Sequence, residues 1–244
     1  MKAYINHHLF TQTGVDSGSL TMHGAVVRNF PVPGQYSGTV FRGTRTVGHF
    51  QLSVQKDSPA MQVNIDLASL SPTASEGCGC KSMCHEKGRL FEASPKGYVV
   101  FHVSRGAGGY AVHVGPMEAE HKAASFDSRE LKEGDLFAAT LIRPGTYSVM
   151  NINTKARGEI VVAYPAPGKE LHRPPEAVSI ECTENALKPS KVRIEAAQGQ
   201  VYRFKVRSRI KIELVTPDDG AGGARPSRIP GWKKPAVAGG QAGK

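Results

Sequence analysis

At 244 residues, with 39% of them hydrophobic, the chain can bury one large or two ordinary cores, and its 27 glycines and 16 prolines weigh against long helices. The 31 Lys and Arg against 21 Asp and Glu leave a net charge of +10, which disfavours basic partners and favours polyanions. No run approaches the about 20 consecutive apolar residues of a membrane-crossing helix, and the opening Met1-Lys-Ala-Tyr-Ile-Asn-His-His lacks the apolar core of a secretion signal, so the default compartment is cytoplasmic unless a signal has been removed.

In chain order, residues 19–28, 36–42, 46–54 and 61–67 alternate apolar and polar side chains, the period of half-buried strands. Pro31-Val-Pro33-Gly34 and Asp57-Ser-Pro59 punctuate them as turns. Residues 98–103 and 110–114 form a further pair of strands, read as a hairpin across Arg105-Gly-Ala-Gly-Gly109. The more polar stretch 117–133 has room for one short helix. Many short strands with frequent turns predict an all-β protein, built as one or two β-sandwich domains with a flexible basic C-terminal tail.

Between the fourth and fifth of these strands lies Gly77-Cys78-Gly-Cys80-Lys-Ser-Met-Cys84-His85, three of the four cysteines of the chain followed by a histidine. Three thiolates and an imidazole make a Cys₃His donor set, common in structural zinc sites, and the glycines let the backbone fold back around an ion. Disulfides are the competing reading, but Cys78 and Cys80 are too close to bond comfortably to each other and Cys182 is remote in sequence, so metal comes first. Cys78, Cys80, Cys84 and His85 are therefore the candidate ligands, with Cys182, His102, His113 or His121 as possible distant donors. Zinc is the first expectation. Copper and iron–sulfur remain open because Cys-Gly-Cys is a one-residue spacing, and so does c-type haem, because Cys80-Lys-Ser-Met-Cys84-His85 resembles the c-type cytochrome attachment sequence with one extra residue. A reduced, exposed thiol loop is the plainest alternative.

Farther along, Asp135-Leu-Phe-Ala-Ala-Thr-Leu-Ile-Arg-Pro144-Gly145-Thr-Tyr147-Ser-Val, followed by Ala156-Arg-Gly158-Glu-Ile-Val-Val162, resembles the last two strands of a cupredoxin-like sandwich, where a Pro-Gly-x-Tyr turn leads into the final strand pair. Residues 178–207 are similar to the opening strands of such a domain. The resemblance implies a β-sandwich fold and no more, because the loop that carries a Cys, a His and usually a Met in that family reads Met150-Asn-Ile-Asn-Thr-Lys-Ala here. The run Ala163-Tyr-Pro165-Ala-Pro167-Gly168, with Pro174-Pro175 after it, reads as a linker. The expected organisation is a sandwich over 1–167 that includes the cysteine loop 77–85, a smaller β segment or second sandwich over 168–216, and a disordered tail over 217–244.

A second charged feature lies at 202–214. Tyr202, Phe204, Val206, Ile210, Ile212 and Leu214 occupy one parity, and Arg203, Lys205, Arg207, Arg209 and Lys211 the other. A single strand here would bury one face and present five cations on the other, a stripe that attracts an acidic protein partner or other polyanion. Edge protection against aggregation is the alternative reading. Trp232, the only tryptophan, sits in the basic tail as a possible docking anchor. The chain has no Gly-x-Ser-x-Gly elbow, phosphate loop or His-Glu-x-x-His helix, and no carboxylate pair at a spacing that demands acid–base roles. The reading favoured at this point is a non-enzymatic, metal-binding β-sandwich subunit of a larger assembly that docks an acidic partner or polyanion. An electron-transfer or metal-handling protein and a metal-dependent enzyme are the alternatives.

Overall fold

The structure, a computed structural model, describes residues 11–70, 89–118, 124–164 and 175–218. These residues form an all-β protein. Its first half contains β1 (Gly14–Asp16), β2 (Gly24–Arg28), β3 (Gly34–Arg42), β4 (Arg45–Val54), β5 (Gln62–Asp66), the one-turn helix α1 (Leu67–Leu70), β6 (Arg89–Ala93), β7 (Tyr98–His102) and β8 (Tyr110–Pro116). The second half contains β9 (Phe126–Asp127), β10 (Leu136–Thr140), β11 (Gly145–Asn151), β12 (Arg157–Ala163), β13 (Val178–Cys182), β14 (Leu187–Lys188), β15 (Lys191–Glu195), β16 (Gly199–Phe204) and β17 (Ile210–Pro217). The described part of 117–133 holds β9 and turns in place of the expected helix.

The two halves repeat one pairing scheme. The hairpin β3–β4 corresponds to β11–β12, the parallel pairs β4–β6 and β5–β7 to β12–β15 and β13–β16, and the antiparallel pairs β2–β7 and β3–β8 to β10–β16 and β11–β17. The repeat is also written in residues. Asp16-Ser17, Leu20 and Pro33-Gly34-Gln-Tyr36-Ser37 recur at a constant offset as Asp127-Ser128, Leu131 and Pro144-Gly145-Thr-Tyr147-Ser148. Each motif does the same job in both copies. The Tyr36 hydroxyl donates to the Val32 carbonyl at 2.6 Å, and that of Tyr147 to the Arg143 carbonyl at 2.7 Å, which ties the turn to the strand it opens. Glycine is required at 145, where φ is +146° and a Cβ would stand 2.5 Å from the Thr216 carbonyl oxygen.

Three sheets result, a seven-stranded one in the order β14-β13-β16-β10-β2-β7-β5 and two five-stranded ones, β6-β4-β3-β8-β9 and β1-β17-β11-β12-β15. The long sheet is shared, because β2 of the first repeat pairs antiparallel with β10 of the second. In that pair Val26 stands opposite Phe137, its own equivalent, so a pseudo-two-fold axis passes between them. Cross-strand partners share a face, so Val26, Phe101, Phe137 and Tyr202, opposite one another along β7-β2-β10-β16, all point to one side, where they are buried. The sheet β6-β4-β3-β8-β9 packs against that side through Phe50 with Phe101 at 6.2 Å and Phe101 stacked on Phe126 at 5.6 Å, and the sheet β1-β17-β11-β12-β15 does so where Val15 and Phe137 close on Gly24, each 3.1 Å from where a Cβ there would stand. One continuous core joins the repeats.

The repeats also exchange their leading strands. Strand β1, which begins the first repeat, pairs with β17 of the second, while β9, which begins the second, pairs with β8 of the first. Ser17 and Ser128 latch the two exchanges identically, the Ile210 amide donating to Ser17 Oγ at 3.0 Å and the Val112 amide to Ser128 Oγ at 2.9 Å. The sequence break expected after residue 167 therefore falls inside the second repeat, where β12 and β15 on either side of it pair in parallel.

One ion pair marks the seam. Arg28 Nη1 donates to Asp135 Oδ1 at 2.6 Å, and the Asp135 side chain is fully buried. Burial pushes the Asp135 carboxyl up, against the lowering effect of the Lys132 amide and of Arg28. A carboxyl whose folded pKa is raised is penalised in the fold once pH rises through that value. Removing the cation enlarges the penalty. Arg28→Met is expected to cost about 3–5 kcal/mol at pH 7, and urea titrations should show the deficit shrinking as pH falls and the raised carboxyl of the variant takes up its proton. A deficit independent of pH would remove Asp135 as its cause.

Candidate functional site

The cysteine ligands Cys78, Cys80, Cys84 and His85 lie outside the described residues, but the frame that carries them is described on both sides. Asp66, at the end of β5, accepts from the Ala68 amide and the Ser104 amide at 3.1 Å each and from the Ser104 hydroxyl at 2.5 Å. Burial pushes this carboxyl up, but Ser104, the Ala68 amide and His102 outweigh it and hold it below the usual carboxylate range. An ionised Asp66 thus starts α1 and ties it to the end of β7. At Gly48 a Cβ would stand 2.4 Å from the Leu70 carbonyl oxygen, so the outgoing chain lies directly on β4. The returning chain is held beside it, Arg89 Nη1 donating to Ser69 Oγ at 3.0 Å.

The second repeat shows what this position needs for folding alone. There the same junction, from β13 to β15, is made by residues 183–190, with β14 folded back on β13 and the Thr183 hydroxyl bonded to the Ala186 carbonyl at 2.9 Å. The corresponding junction of the first repeat, residues 67–88, is thus 14 residues longer and carries an insertion between two pinned ends.

Of the distant donors, His121 lies outside the described residues and the other three are placed apart. Cys182 is fully buried in β13, and burial, with Glu181 nearby, pushes its thiol up to about 12, so it is a neutral core side chain. The expected hairpin between 98–103 and 110–114 does not form: β7 belongs to the seven-stranded sheet and β8 to a five-stranded one, with the glycine segment crossing between them. His102 therefore stands opposite Asp66, and His113 in another sheet opposite Thr39 and Asp127, so the two histidines do not face each other. Among the described residues no group of three or more His, Cys, Asp and Glu side chains is gathered to hold a metal.

The basic residues of 202–214 are likewise dispersed, Arg203 in β16, Lys211 in β17, and Lys205, Arg207 and Arg209 in the turn between them. The alternation is real, with Tyr202, Phe204, Ile210 and Ile212 buried, but the chain leaves the seven-stranded sheet after Phe204, turns, and enters the other sheet at Ile210. The five cations do not form one row, and each has a partner on the protein. Arg203 Nε donates to Ser179 Oγ at 3.2 Å, and Lys205 lies 3.9 Å from Glu133 and 3.8 Å from Glu181. Arg207 pairs with Glu130, and Lys211 with Glu213 at 2.7 Å. Arg209 grips Asp16 with both ends of its guanidinium, at 2.9 and 2.8 Å, across the exchanged β1. Its counterpart in the other repeat is Arg129, which holds Asp127 at 2.7–3.2 Å. Gly18 stands where Arg129 does, and a Cβ there would lie 2.5 Å from Arg209 Nε.

Sequence reading missed the buried polar groups of the second repeat. Tyr202 is fully buried with its hydroxyl unpaired among the described residues, and so is the Gln200 side-chain oxygen. Burial pushes the Tyr202 hydroxyl up. The first repeat has Phe101 at the position of Tyr202.

No family model, curated protein or solved structure matches this chain.

Geometry separates the cations by role. The forked Arg209–Asp16 contact joins elements 193 positions apart in sequence, whereas Arg207 and Glu130 are exposed partners of the kind worth under about 1 kcal/mol. Asp16→Asn should lower stability by about 1.5–3 kcal/mol, the range for hydrogen bonds to charged groups, and Glu130→Gln by less than about 1 kcal/mol. Equal shifts of the two urea midpoints would refute this division.

Proposed function

We propose that the protein is a non-enzymatic binding subunit: a double β-sandwich whose inserted segment holds a metal ion through Cys78, Cys80, Cys84 and His85, and whose exposed cations and basic tail dock an acidic partner or polyanion. The observation that carries the first part is the insertion. The second repeat joins the same two strands with residues 183–190, so the extra chain in the first repeat, and the soft donors it brings, serve no need of the shared fold. Three thiolates and an imidazole favour zinc. Copper, an iron–sulfur cluster and c-type haem are separable from it by absorption spectrum. The likeness to cupredoxin-like sandwiches enters as a proposal about fold alone.

Elemental analysis of protein purified under reducing conditions should find close to one zinc per chain, with Cys80→Ser and Cys84→Ser each removing most of it. Metal content unchanged in both variants would reject the site.

For docking, Arg203, Lys205 and Arg207 are the exposed members of the basic set, while Arg209 and Lys211 are half-buried and Arg209 serves the frame. Exposed ion pairs such as Lys205–Glu133 contribute little, so exchanging Glu133 for an external anion costs little. The tail adds Arg225, Arg228, Lys233, Lys234 and Lys244. Reversing charge at 203, 205 and 207 together should bring the salt concentration that elutes the protein from heparin down markedly, as expected for lost counterion release. An unchanged elution point would count against these three residues.

A further inference from the structure

The core uses one face of the seven-stranded sheet, and the opposite face has a composition of its own. Positions alternating with Val26, Phe101, Phe137 and Tyr202 point outward, and at the middle of the four central strands these are Val100, Ala25, Val27, Leu136, Ala138 and Val201, all half-buried, with Tyr98, His102, Thr140 and Arg203 toward the strand ends. Register makes them contiguous. Val27 stands opposite both Val100 and Leu136, and Ala138 opposite both Ala25 and Val201. Both five-stranded sheets occupy the other side, so among the described residues no third layer covers this patch. Contiguous exposed apolar surface of this kind marks an interaction site.

We propose that this face is a self-association surface on which a second copy of the chain stacks. Three observations select that occupant. First, the patch is centred on the internal pseudo-two-fold, with Ala25 equivalent to Leu136, Val27 to Ala138 and Val100 to Val201. A surface with that symmetry is matched to an isologous contact, in which every interaction occurs twice. Second, the chain carries +10 overall and repels its own copy, but this face is the neutral one. Its six central side chains are aliphatic, and on its rim acids stand opposite bases, Asp66 with His102 and Glu181 with Arg203. Arg203, opposite Leu136 at the margin of the patch, is offset by Glu181 beside it, so a like-charged copy meets no excess charge. Third, six strands of about five residues, with the two-residue β14 at one edge, span roughly 29–34 Å by 17 Å, a footprint of roughly 500–600 Å² per partner, the size of a reversible interface of under about 1,200 Å² in total.

Sedimentation velocity of the full chain over about 1–100 μM decides the matter, with far-UV circular dichroism and the thermal midpoint as folding controls. The expected species has twice the 26.1 kDa chain mass. Val27→Lys and Leu136→Lys should each give a folded monomer. Because lysine in a central strand can impair folding, Val27→Thr combined with Val201→Thr keeps the β-branched shape, and it should raise the dissociation constant at least tenfold. A wild-type monomer at 100 μM overturns the proposal. So does a dimer indifferent to the threonine pair, or a monomer that uses this face to hold a different protein. Metal content and heparin elution are read separately, so the outcome does not depend on the proposed metal or polyanion sites.

Discussion

The antiparallel pairing of β2 with β10 is the contact on which the rest of the molecule depends. Each repeat alone would have a three- or four-stranded sheet ending in an open edge strand, with unpaired amides and carbonyls along it. Setting Val26 against Phe137 removes both edges at once and makes one seven-stranded sheet. It also brings Phe101 and Tyr202 into one buried row with them, so the two sandwich cores become continuous. The exchanged strands β1 and β9 follow from the same arrangement, because each repeat's leading segment emerges beside the other's outer sheet. Among the described residues the one fully buried charge on this seam is Asp135, and it is covered by a cation from the opposite repeat.

Much of the strand content was legible in the sequence, because alternation survives wherever one face is buried. The topology was not, for a reason visible at two equivalent places. At 98–114 and at 202–214 the chain crosses from one sheet of a sandwich to the other while each strand keeps its own alternation, the buried positions running on at Tyr202, Phe204, Ile210 and Ile212 but changing parity from Val99 and Phe101 to Val112 and Val114. A parity pattern therefore reads identically for a continuous strand, a hairpin and a crossing. One of these places was read as a hairpin and the other as a single cationic strand, and both are crossings. The signal that distinguishes them was present in the duplicated Pro-Gly-x-Tyr-Ser. Each copy had been noted as a local turn, but comparing the two, with Asp-Ser and Leu upstream at the same offset, reveals the repeat and predicts that 98–114 and 202–214 share a structure.

Charge was legible as a total and not as an arrangement. The five cations of 203–211 are divided among frame contacts and exposed pairs, and no count of Lys and Arg separates Arg209, forked onto Asp16, from Arg207, paired at the surface. The aliphatic outer face escaped notice because residues such as Ala25, Val27 and Ala138 look like ordinary core residues in one dimension. Placing both flanking sheets on the same side of the long sheet turns them outward. The cysteine segment carries the reverse lesson. Its three cysteines and histidine stand out by residue type and spacing, and comparison with the second repeat adds that the junction carrying them is longer than the shared fold needs.

The exchange of leading strands also constrains how the molecule comes to be made. Strand β1 is synthesised before every other strand of the described fold, yet its partner β17 is the last of them. Contacts that join residues so distant in sequence form late and slow the final step. The first repeat can gather its own hairpins during synthesis, but Gly14–Asp16 must wait for nearly the whole chain, and β8 must wait for β9. Completion is thus a single event that closes the N-terminal end of the chain onto the C-terminal strand. It brings the two ends of the described fold into one sheet and makes a circularly permuted chain, opened elsewhere, compatible with the same architecture.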